Sequence, residues 1–222
     1  MRLKQVTFSL ATTVLLSLPA VGLAAPIYNP VGPQQNVSMA SVLAGGWSLC
    51  FSGAYGATGA NIAAEVADCG GDQMMLAGGL NGADNLLLLA QALETDVMFV
   101  TATNTVHNAN GSGWYFNGLS WGFAPQGFGI SQNSADTASA PGFASVGDDG
   151  TNRLSWHTSG NAGGGVPLNL NGGWRIGNTT FLNVEPTGYT RYIFTSVPEP
   201  ATMLLLSFGL AAASVRLRRR KQ

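Results

Sequence analysis

The chain has 222 residues, 45% of them hydrophobic and only 9% charged, with 10 basic and 11 acidic side chains. The charge is uneven: residues 25–196 hold ten of the acids against Arg153, Arg175 and Arg191, with no lysine, a net of seven negative charges. That excludes a nucleic-acid-binding surface, which needs a basic footprint.

The first element is Met1 to about Ala24. Arg2 and Lys4 precede a mainly apolar stretch, Val6 to Leu18; Pro19 breaks it, and Gly22-Leu23-Ala24 offers small residues for cleavage. This is the pattern of a secretory signal peptide. The body that follows, residues 25–196, is long enough for one domain with its own core. Glycine makes up about one residue in six of it, which penalises long helices and supplies turns.

Pro26 to Pro33 reads as an extended lead-in. Beyond it, short apolar runs bounded by glycine predict strands at Trp47–Tyr55, Gln73–Leu76, Asn85–Leu93 and Val97–Thr103. The series continues at Trp114–Phe116, Leu119–Phe123, Phe128–Ser131, Arg153–Thr158, Gly173–Ile176 and Tyr189–Thr195. A short helix is expected at Ile62–Ala67, capped by Asn61. The Leu86–Leu89 run favours helix by propensity. Its bounds, Gly78-Gly79 and Asn81-Gly82 before and Asp96 with a β-branched run after, favour a strand buried on both faces. The expected fold is all-β, a single β-sandwich, with a jelly roll or barrel as the alternative.

Cys50 and Cys69 are the only cysteines. In an exported chain an isolated pair most simply forms one disulfide, closing a loop around Tyr55 to Val66; a metal or redox pair would want further Cys or a nearby His.

Three constellations could carry chemistry. Gly118-Leu119-Ser120-Trp121-Gly122 matches the G-x-S-x-G nucleophile elbow, and Asp148, Asp149 and His157 follow in the Ser…Asp…His order. Yet Phe123-Ala124-Pro125-Gln126-Gly127 cannot supply the helix that an elbow needs, so a non-catalytic body is the expectation. Asp148 and Asp149, in a Gly-Asp-Asp-Gly turn, are oxygen ligands of the kind calcium takes, although the same residues make an ordinary hairpin turn and no cofactor is required. Asn110, Trp114 and Tyr115 place a polar loop beside aromatic edges, a candidate for stacking on sugar rings, against burial as core. His107 and His157 lack the helical spacing of a metal pair and read as polar-loop or satisfied core histidines.

The last 26 residues have three parts in a fixed order: Val197-Pro198-Glu199-Pro200, an uncharged apolar run from Ala201 to Val215, then Arg216, Arg218, Arg219, Arg220 and Lys221. Two prolines without N–H donors make an extended hinge. Fifteen helical residues rise about 22 Å, short of the roughly 30 Å hydrocarbon core, and snorkelling arginine stems supply the remainder. The cations hold their end on the cytoplasmic side, so the body faces outward. A permanent anchor without processing is the rival reading.

Residues 197–222 resemble the PEP-CTERM sorting signal of exported bacterial proteins. The resemblance implies recognition by an exosortase, a membrane-embedded protease, after a transient stay in the inner membrane. It further implies cleavage near the Pro-Glu-Pro motif, transfer to the envelope surface or extracellular matrix, and association with exopolysaccharide.

Overall fold

The computed structural model describes residues 28–56, 62–130, 132, 150–158, 174–181 and 187–196. The two ends of the chain, and with them the predicted signal peptide, Asn61, Asp148, Asp149, Val197–Pro200 and the basic block, lie outside the described residues.

Eleven strands are described, in two antiparallel sheets. The first sheet has the order β1 (Gln34–Ser38), β4 (Asn85–Leu93), β3 (Gln73–Leu80), β11 (Tyr189–Ser196), β2 (Trp47–Ala54). The second runs β10 (Thr179–Phe181), β9 (Trp174–Ile176), β8 (Leu154–His157), β7 (Ser120–Pro125), β6 (Ser112–Phe116), β5 (His107–Ala109). Met74, Leu76, Leu88 and Ile193 from one sheet and Trp114, Trp121, Phe123 and Trp156 from the other share one buried cluster. The fold is therefore mostly β, with two sheets face to face as in a β-sandwich.

The first sheet is apolar on both sides. Met75, Ala77, Leu86, Leu89 and Phe194 form a second cluster with Trp47 and with Val42 of α1 (Met39–Ala44). This explains the leucine run. Gly78 faces Leu88 while Gly79 faces Leu86, so Leu87 is the extra residue of a bulge. Leu86 and Leu89 thereby point to one cluster and Leu88 to the other. Gly78 and Gly79 lie inside β3, not before a strand as a bounding turn. A Cβ on Gly78 would sit 2.6 Å from Ile176 of the facing sheet and 2.7 Å from Tyr55, which follows directly on β2.

Two predicted strands are corrected. Glu94–Val97 is a one-turn helix, α3, and residues 98–103 carry no strand. Val97 is buried beneath the sheets while Phe99 and Val100 are exposed, so the β-branched run is split between core and surface. Phe128–Ile130 is loop, and Ser131 lies outside the described residues. The predicted helix is a single turn, α2, at Ile62–Glu65.

Candidate functional site

The end of β11 is the candidate functional position, because the segment with the sorting-signal pattern follows it directly in sequence. β11 is a central strand, paired with β2 on one side and β3 on the other. Ser196 faces Trp47, and Thr195 faces both Ser48 and Met74. The Gln73 N–H donates to Ser196 Oγ at 3.3 Å, and Thr195 Oγ1 donates to the Gln73 carbonyl at 3.3 Å. Gly71 is packed so closely on Thr195 and Ser196 that a Cβ there would overlap both. Both residues are buried.

Beside this exit lies an open groove of about 430 Å³, lined by Ser48, Leu49, Cys50, Asp68, Gly70, Thr195 and Ser196. Its wall is covalently fixed: Cys50 and Cys69 form a disulfide with Cα atoms 5.2 Å apart. Ile193 faces Phe51 and Phe194 faces Leu49, which makes Cys50 the extra residue of a β2 bulge. The bulge places the bridge that ties Cys69 to the strand.

The serine motif does not make an elbow. Ser120 lies at the start of β7, directly opposite His157 of β8, and both are buried. Ser120 Oγ accepts a 2.9 Å hydrogen bond from Gln132 Nε2. His157 Nδ1 lies 2.9 Å from the Leu119 carbonyl and therefore donates to it, while the ring meets Trp174 edge-on at 5.3 Å. Gln132 also donates to Asn117 Oδ1 at 3.1 Å and accepts from Asn117 Nδ2 at 2.9 Å. The reading of the motif missed Gln132, which stands twelve residues away in a loop with no periodic signal.

Trp114 and Tyr115 are fully buried, which corrects their candidacy as a sugar platform: no ring face is open. Trp114 packs edge-on against Phe123 at 5.4 Å and its Nε1 donates to the Ala109 carbonyl at 3.2 Å. Asn110 has φ 46° and Gly111 φ 73°, the two-residue turn of the β5–β6 hairpin. Its side-chain amide donates to the carbonyls of Pro30 at 2.9 Å and Gln91 at 2.8 Å, so it staples the hairpin to the other sheet. His107 Nε2 meets Asp96 Oδ1 at 2.7 Å, and its ring stacks on Phe99 at 4.4 Å.

Among the described residues, a charged pair packs against the core. Arg191 of β11 donates through Nη2 to Glu65 of α2 and lies 5.5 Å from the Phe51 ring and 5.6 Å from the Trp156 ring. Its Nε and Nη1, and Glu65 Oε2, are buried without a hydrogen-bond partner. Burial raises the Glu65 pKa above its ordinary value, with Arg191 opposing that rise. Burial lowers the Arg191 pKa, opposed by Glu65. Desolvation outweighs attraction on both sides of the pair.

No curated protein and no solved structure matches the chain. Among the described residues no helix is long and apolar enough to cross a membrane. Residues 196–220 match the PEP-CTERM protein-sorting motif, a match that starts on the last residue of β11 and implies processing by an exosortase and export to the cell surface.

Proposed function

We propose that the protein is a non-catalytic structural or interaction protein of the cell envelope or extracellular matrix. Its residues 25–196 are the cargo, a single sandwich domain carrying one disulfide. Residues 1–24 direct export and are removed. Residues 197–222 hold the chain transiently in the inner membrane until the exosortase cuts near Val197–Pro200, and the released body associates with exopolysaccharide at the surface. The observation that carries this reading is the abutment of the sorting motif on the final strand of a disulfide-bonded sandwich. The disulfide fits an oxidising compartment. The strand setting of Ser120, closed off by Gln132, supports a body without a nucleophile.

Mass spectrometry of the protein recovered from native cell envelopes tests it. Mature chains beginning near Ala25 and stopping near Pro198 are expected. A full-length polypeptide, soluble in the cytoplasm with both ends intact, would overturn the reading.

A further inference from the structure

The exit of the chain leaves no slack. Ser196 is buried and hydrogen-bonded between neighbouring strands, and only Val197 separates it from Pro198. The four residues Val197–Pro200 reach at most about 14 Å before the apolar run begins at Ala201. A protease cutting within them from the membrane must stand against the folded end of the sandwich. The surface it meets is the groove beside Ser196, whose wall the disulfide holds rigid. Leu49 is 39% exposed there, and Asp68 adds an exposed carboxylate.

We infer that this groove, lined by Ser48, Leu49, Asp68, Gly70 and Ser196, is a docking surface for the membrane-embedded processing protease. The partner is expected to present an apolar side chain to Leu49 and a cation to Asp68. The folded body is then part of the recognised substrate, beyond the motif itself. This inference rests on the processing reading above.

The test uses the full chain in its native cells and follows conversion of precursor to shortened protein by pulse-chase. Leu49→Ser and Asp68→Lys each lower the initial rate by about fivefold, the weight of a good interface contact. Inserting ten Gly/Ser residues after Ser196 frees the motif from the body, and in that background both substitutions become silent. Unchanged rates for both variants in the native arrangement overturn the docking surface. Equal slowing with and without the spacer also overturns it, by showing that the substitutions act through folding or delivery. Wild-type chain that is never shortened contradicts the processing reading instead, and Glu199→Ala, which blocks the cut while leaving the groove intact, keeps the two failures apart.

Discussion

The Tyr115 hydroxyl donates to the Leu154 carbonyl at 2.7 Å, and it reaches that oxygen across Gly122. A Cβ at Gly122 would overlap the Leu154 oxygen and lie 2.9 Å from the Tyr115 hydroxyl. The second glycine of the serine motif is thus the seat of a tyrosine crossing three strands. Gly122→Ala is expected to prevent folding or to cost more than about 4 kcal/mol, because the obstacle is backbone. Tyr115→Phe keeps the ring but loses the hydrogen bond to Leu154 and the one accepted from Arg153 Nε, costing about 1–2 kcal/mol. Urea unfolding of the purified body checks both.

The Arg191–Glu65 pair should behave asymmetrically. Glu65→Ala strands a buried guanidinium and is expected to cost about 3–5 kcal/mol. The double substitution Glu65→Leu with Arg191→Met removes both desolvation costs and is expected to regain most of that loss. A double-mutant cycle measures it; additive losses would show that the pair is not coupled.

The same pair gives a pH signature. The folded Glu65 pKa is raised, so the native state holds the proton over a pH range where the unfolded chain has released it. Stability from this site is highest below the ordinary carboxylate range and falls as pH rises through the raised value. The melting temperature of wild type minus that of Glu65→Gln should therefore decrease as pH rises through that window and level off above it. A difference that grows with pH across the window would reverse the assignment.

Fluorophosphonate probes should leave the purified body unlabelled, since Ser120 Oγ is buried and held by Gln132. Ser120→Ala should cost about 1 kcal/mol, one hydrogen bond, because Gln132 keeps its Asn117 partner. Stoichiometric labelling that disappears in Ser120→Ala would make the protein a hydrolase.

Reduction of Cys50–Cys69, which are 19 residues apart in sequence, should lower stability by about 3 kcal/mol on the chain-entropy account. Comparing chemical unfolding of oxidised protein with that of a Cys50→Ala, Cys69→Ala variant reads it directly.

Local pattern revealed much of the fold. The predicted bounds of β4 match the observed strand, and those of β2, β7, β8 and β11 fall within two residues. Each is a run whose apolar content and flanking turns agree. The failures share a cause. At Val97–Thr103 propensity favoured a strand, but only Val97 and Thr101 find buried places, while Phe99 and Val100 stay exposed. At Gly78-Gly79 two glycines read as a turn, whereas Gly78 makes room for Ile176 and Tyr55 of distant segments. Trp114 and Tyr115 looked like a loop-edge platform because sequence cannot say which face of β6 is covered; here both are. The disulfide was legible from cysteine count and export alone, while the groove it braces depends on tertiary register. Gln132 gave no signal, since its partners are assembled only by folding.

The strand that locks the first sheet is also the last of the described strands to be synthesised. β2 and β3 are finished more than a hundred residues earlier, yet they share no ladder and are joined in the sheet only through β11. A nascent body lacking residues 189–196 therefore has a gap at the middle of its sheet, with two open ladders and an unfilled interior. The first sheet therefore closes only when its final strand is in place, so folding of this half of the body is expected to wait for the end of the chain.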